Sequence, residues 1–241
     1  MRAPGKEVAI LADPPRGSGD NRDNTRISRS KEQARDSYNR MSRFYGLLSA
    51  GSEKKFVKAA IEGFLKPQDG ERILEPGFGS GQVLAALAEM VGDEGKAYGI
   101  DISDGMVEVA RKRLERKGVA ERVELTRGDA AALPYRDDFF DGIFMSFTLE
   151  LCDAPEIPVV LGECKRVLKE GGRLCVASMS DQGKQGMMAR LYLWSHHRFP
   201  RFVDCRPIYA RGFVAEAGFR IDGYRVMSMW GLPVEIVLGR K

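Results

Sequence analysis

The chain has 241 residues, 43% of them hydrophobic and 30% charged, and a formal net charge of +4. That length and balance suit one sizeable buried core, and no apolar run reaches the ~18 residues that a membrane span needs, so a cytoplasmic, non-integral protein is expected. Four cysteines without a Cys-x-x-Cys pair (Cys152, Cys164, Cys175 and Cys205) argue against a disulfide framework or a zinc set and read as reduced core residues.

Residues 1–28 mix Pro, Gly, Asp, Asn and Arg without periodicity and read as a flexible basic arm. Its apolar patch at residues 8–12 is too short for a secretory signal. Ser30-Lys31-Glu32-Gln33 has the capping-box form, and Ala34, Tyr38, Met41, Tyr45 and Leu48 then recur at steps of three and four, predicting an amphipathic helix. A second helix is predicted over residues 56–65. Next, Ile73-Leu74 reads as a buried strand running into Glu75-Pro76-Gly77-Phe78-Gly79-Ser80-Gly81, with a helix from Gln82. Gly77, Gly79 and Gly81 allow a tight bend and the close approach of a ligand, and the helix start aims free N–H groups at it. A dinucleotide fingerprint requires glycine where Gln82 stands, so NAD fits poorly. Glu75, a carboxylate closing the strand, suits a ligand carrying an ammonium group, as S-adenosylmethionine does.

Three further strand ends follow. Ala97-Tyr98-Gly99-Ile100-Asp101 closes on an acid at the spacing that serves ribose hydroxyls. Ile102 and Met106 beside it are apolar enough to flank an adenine ring, while also fitting the core face of a helix starting at Ser103. Val123-Glu124-Leu125 leads to Gly128-Asp129-Ala130, where Asp129 is placed to accept from an adenine amino group or to cap a helix. Asp141-Gly142-Ile143-Phe144-Met145-Ser146-Phe147 brings Ser146 to the same edge. Helices over residues 82–90, 106–117 and 157–168 alternate with these strands and predict a parallel sheet covered on both faces. A strand over 173–177 and two closing strands, near 219–227 and 234–238, complete the pattern.

The succession Ile-Leu-Glu-Pro-Gly-Phe-Gly-Ser-Gly, Gly-Ile-Asp-Ile-Ser, Gly-Asp-Ala, Phe-Asp-Gly-Ile-Phe-Met-Ser-Phe and Leu-Lys-Glu-Gly-Gly-Arg-Leu resembles the class I S-adenosylmethionine-dependent methyltransferases over residues 30–180. Within that class it is most similar to the ubiquinone/menaquinone biosynthesis C-methyltransferase group. The resemblance implies a Rossmann-like, doubly wound, mostly parallel seven-stranded sheet with an antiparallel C-terminal strand. It implies cofactor contacts at Ser80, Asp101, Asp129 with Ala130, and Ser146. It also implies one methyltransferase domain over residues 29–241, in which helices of 29–65 act as a lid and Tyr38 or Tyr45 touches the methionine portion.

The segment over 183–205 is the expected substrate-side insertion. It holds the chain's two histidines, His196 and His197, as candidate general bases, against the plainer reading of a basic surface stretch with Arg190, Arg198 and Arg201. Met187, Met188, Leu191, Tyr192 and Trp194 suit an apolar, lipid-like acceptor such as a quinol, or a peripheral membrane contact. An RNA or protein methyltransferase, or a non-catalytic cofactor-binding module, would share the fold. A nucleic-acid partner is disfavoured by the mild charge and by Ser146-Phe147-Thr148-Leu149, where amino-directed base enzymes carry Asp/Asn-Pro-Pro-Tyr. No metal site is expected.

Overall fold

The computed structural model describes residues 53–182 and 207–241. The basic arm, the helix expected from Ser30 and the insertion over 183–205 lie outside the described residues. Helix α1 (Lys54–Ala60) continues as a π-helical turn, Ile61–Leu65, and buries Phe56, Ala60, Ile61, Phe64 and Leu65. Then β1 (Arg72–Pro76) turns into α2 (Gln82–Met90), and β2 (Lys96–Asp101) into α3 (Asp104–Lys117). Ser103 caps α3, its hydroxyl accepting from the Met106 N–H at 3.1 Å, and Gly118 ends it in the left-handed conformation. The strands β3 (Val123–Arg127) and β4 (Phe140–Ser146) precede α4 (Ile157–Val167) and β5 (Leu168–Met179). Helix α5 (Ala210–Glu216) leads to β6 (Arg220–Met229) and β7 (Leu232–Arg240).

The seven strands form one sheet in the order β3-β2-β1-β4-β5-β7-β6. From β3 to β5 the neighbours are parallel, whereas β7 runs antiparallel to both β5 and β6. The implied fold is therefore the observed one. Because β1 pairs with β2 on one side and β4 on the other, successive crossovers leave β1 in opposite directions, and a crevice opens at the strands' carboxyl ends there.

Alternate residues of the strands are buried on opposite faces, which is why these segments read as nearly continuous apolar runs. Leu74, Ile143, Leu174 and Val176 pack with Val160, Leu161 and Cys164 of α4 and Val214 of α5. Ile73, Phe144, Cys175 and Ala177 pack with Leu65, Leu84, Leu87 and Leu114 on the other face. Burial pushes the Cys164 thiol up to about 12 and raises that of Cys175, as inert core thiols require.

Two elements differ from expectation. Strand β5 begins at Leu168 rather than Arg173, because Leu168 pairs with Phe140 across a bulge at Phe140/Gly142. Helix α5 was not anticipated: its seven residues have no side-chain N-cap, and its stripe of Ala210, Phe213, Val214 and Ala217 is too short to stand out.

Candidate functional site

Gly77, Gly79 and Gly81 alternate along the turn after β1, with φ of 70°, 51° and 71°. Left-handed backbone at alternate positions bends the chain from strand to helix, and side chains resist it. Their surroundings separate their roles. A Cβ at Gly77 would run into the Thr148 side chain, and one at Gly81 would sit 2.7 Å from the Ala110 Cβ, so these two glycines let the turn pack against its neighbours. A Cβ at Gly79 would meet nothing within 4 Å. Gly79 is thus the glycine that faces open space at the mouth of the crevice.

Asp101 holds this turn. Its Oδ2 accepts from the Gly79 N–H at 3.0 Å and its Oδ1 from the Ser103 N–H at 2.9 Å. Its own carbonyl accepts from the Gly128 N–H at 3.0 Å, so the ends of β1, β2 and β3 are joined through one residue. Burial raises the Asp101 carboxyl above its usual range, against the lowering effect of those backbone donors. Glu75, on the adjacent strand, is only 2% exposed, and its Oε2 has no hydrogen-bond partner among the described residues. Burial, and then the negative charge of Asp101, hold its carboxyl well above the ordinary value. The two acids stand side by side, Glu75 enclosed and Asp101 half-buried, and the described residues provide no cation for Glu75. A positively charged ligand beside Gly79 would relieve that repulsion and desolvation together.

Ser80 turns its hydroxyl to Arg113 of α3, whose Nη1 donates to it at 3.0 Å. Ile102 is half-buried, while Met106, at 1% exposed, belongs to the core beneath α3. Asp129 caps a turn rather than a helix: its Oδ1 accepts from the Ala131 N–H at 2.9 Å, with Ala130 half-buried between them. Arg166 anchors the loop that follows, donating to the carbonyls of Leu133 and Tyr135 at 3.0 and 2.8 Å. Ser146 ends β4 at the same edge of the sheet. Thr148 then folds back, its hydroxyl donating to the Ser146 and Gly77 carbonyls at 3.1 and 3.3 Å, after Phe147 has taken a left-handed φ of 52°. The structure therefore brings Glu75, the glycine turn, Asp101, Ile102, Asp129, Ala130 and Ser146 to one sheet edge. Tyr38, Tyr45, His196 and His197 lie outside the described residues.

Glu150 escaped the sequence reading. It is fully buried in the short turn Leu149–Leu151 behind Ser146, where its Oε1 accepts from the Met179 N–H at 3.0 Å and its Oε2 has no partner among the described residues. Burial, with Glu53 nearby, pushes its carboxyl up to about 8, and burial takes Glu53 to about 7. The available signal was a single acid inside the apolar run Phe147-Thr148-Leu149-Glu150-Leu151. Such a charge is either paired or held neutral.

The sheet order, the glycine turn at its switch point and the acids closing successive strands define the class I methyltransferase fold, and the resemblance read from the sequence is borne out. Residues 73–172 match the family model described as "Methyltransferase domain". The ubiquinone/menaquinone biosynthesis C-methyltransferase UbiE of Teredinibacter turnerae is 34% identical over 155 residues, covering 64% of this chain and 61% of the relative. A 2-phytyl-1,4-naphtoquinone methyltransferase of Synechococcus elongatus is 34% identical over 132 residues, 55% of each chain. The chain thus spans less than two thirds of the length of these relatives. Among solved structures, a SAM-dependent methyltransferase from Aquifex aeolicus superposes with a TM-score of 0.59 at 23% identity, covering 85% of this chain and 97% of its own. The [4+2]-cyclase SpnF superposes with a TM-score of 0.72 at 18% identity, covering 90% and 98%. That neighbour shows why the fold alone does not fix a reaction. No helix among the described residues is long and apolar enough to cross a membrane.

Proposed function

We propose that this protein is an S-adenosylmethionine-dependent methyltransferase acting on a small, lipid-like acceptor of the quinol type. The observation that carries the first half is the pair of neighbouring acids, buried Glu75 and half-buried Asp101, next to the turn in which Gly79 faces open space. S-adenosylmethionine is cationic at its ammonium and its sulfonium, and when bound it supplies an already activated methyl group. Glu75 would hold the ammonium, and the lone pairs of Asp101 not used by Gly79 and Ser103 would take the ribose hydroxyls. Asp129 and Ala130 would receive the adenine amino edge, with Ile102 against the ring and Ser80 and Ser146 at the rim.

The protein's remaining task is alignment. Holding an acceptor in line at near-attack distance, away from water, supplies about 7–11 kcal/mol. A phenolic acceptor also needs a proton removed, and His196 or His197 is proposed for that step. The helix expected from Ser30 is proposed to close over the site through Tyr38 or Tyr45, whereas the helix over 54–65 is packed into the core. The quinol acceptor is supported by the two quinone-directed relatives and by the Met and aromatic content of residues 183–205.

Incubation with methyl-labelled cofactor and a reduced naphthoquinone tests this reading. Label in the naphthoquinol product is expected. Cofactor binding with no transfer to any acceptor would favour a non-catalytic module, and label in RNA or protein would overturn the quinol acceptor.

A further inference from the structure

We propose that the β6–β7 hairpin, with the lysines of α1 beside it, docks the carboxyl edge of the sheet onto an anionic lipid surface. Strand β6 runs antiparallel to β7, which runs antiparallel to β5, so β6 ends at the same edge as β1–β5. The hairpin tip therefore stands on the same edge of the sheet as the crevice, beyond β5. Met229 pairs with Leu232, leaving Trp230 and Gly231 as a two-residue turn. Both have left-handed φ, 51° and 87°, the pattern that Asn-Gly or Gly-Gly fills with least strain. Trp230 occupies that position while 73% exposed, so the indole gains little from packing within the protein. Val226, on the same strand, is 49% exposed.

Basic side chains lie on the α1 side of the tip, while the exposed Asp181 follows Ser180, whose N–H donates to the Pro233 carbonyl at 2.9 Å. Residues 223–234 contain Arg225 and no acid. Lys55 of α1 donates from Nζ to the Ser228 carbonyl at 2.9 Å, which places the exposed start of that helix against the hairpin, with Lys54 exposed next to it. Lys58 follows one turn later, paired at 3.8 Å with Glu62. Burial pushes the carboxyl of Glu53, at the head of the helix, up to about 7, which reduces its negative charge there. A protruding Trp with exposed lysines along one side of its hairpin suits the headgroup zone of a bilayer, where indole sits at the interface and lysines meet anionic phosphates. The purpose of this docking rests on the proposed lipid-like acceptor, which would enter from the membrane at the same edge. The docking itself is measured without turnover.

The experiment uses the full chain carrying Trp194→Phe, so that Trp230 is the only tryptophan of the two. Vesicles of phosphatidylglycerol and phosphatidylcholine in about equal amounts should shift its emission to shorter wavelength, and phosphatidylcholine alone should not. In the otherwise wild-type chain, Trp230→Asn suits the turn better than Trp, so the hairpin is kept; vesicle affinity should fall about tenfold in co-sedimentation, and Lys54→Glu with Lys55→Glu should do the same. Unchanged affinity in Trp230→Asn, unmoved emission, or an indole already shielded by a second copy in a vesicle-free dimer would overturn the proposal. None of those results bears on methyl transfer to a detergent-dispersed naphthoquinol. Equally, failure of that transfer with vesicle binding intact would remove the acceptor alone.

Discussion

Replacing Glu150 with Gln should flatten the dependence of folding stability on pH. The folded protein holds this carboxyl at about 8, against an ordinary value of 4.5, because burial strips it of water and no donor among the described residues reaches Oε2. Between those values the unfolded chain releases a proton that the folded chain keeps, so the stabilisation is complete below about pH 4.5 and is lost as pH rises towards 8. At about 1.4 kcal/mol per pH unit, the wild type loses at most about 4 kcal/mol on this account between pH 5 and pH 8. Gln retains an oxygen for the Met179 N–H and stays neutral, so at pH 5 the variant should lie within about 1 kcal/mol of wild type and at pH 8 should be the more stable of the two. Glu53 acts in the same direction but is present in both proteins. Urea unfolding at the two pH values provides the assay. Parallel pH dependences in variant and wild type would refute the claim that Glu150 is buried uncharged.

The glycine turn allows a contrast. Gly77→Ala should lower stability measurably in thermal unfolding, since the new methyl meets Thr148, whereas Gly79→Ala should cost only about 1–3 kcal/mol from its φ while weakening S-adenosylmethionine binding at least about tenfold. Asp101→Asn should weaken cofactor binding by about 1.5–3 kcal/mol in calorimetry, and wild-type affinity would sink the ribose assignment. His196→Asn and His197→Asn should leave cofactor affinity intact, and one of them should lower kcat by about 100-fold or more if that histidine is the base. Deletion of residues 1–50 should abolish turnover while circular dichroism still reports the folded sheet; full activity would remove the lid.

Where function and structure are local, the sequence announced them. The turn from β1 into α2 begins its helix at Gln82 as expected, and Ser103 caps α3, because left-handed glycines and capping hydroxyls act over a few residues. Asp101 was legible as a site acid, but its grip on Gly79, 22 residues away, was not, since that depends on how β1 and β2 pair. Gly81 likewise looked like a ligand-facing glycine, and its tight contact with Ala110 emerges only from the packing of α2 on α3. Glu150 was hidden for the same reason: what makes it unusual is enclosure by Met179 and Glu53 from distant parts of the chain.

The central claim is that Glu75 and Asp101 enclose the cationic part of S-adenosylmethionine, and calorimetric titration of that cofactor in buffers of different ionisation heat tests it most directly. Because the Glu75 carboxyl is held well above its ordinary value in the free protein, a cation seated beside it should draw the proton off. Saturable binding accompanied by proton release is expected, with loss of that release together with at least about tenfold weaker binding in Glu75→Gln. Absence of binding, or a heat independent of the buffer and an affinity unchanged in the variant, would contradict it.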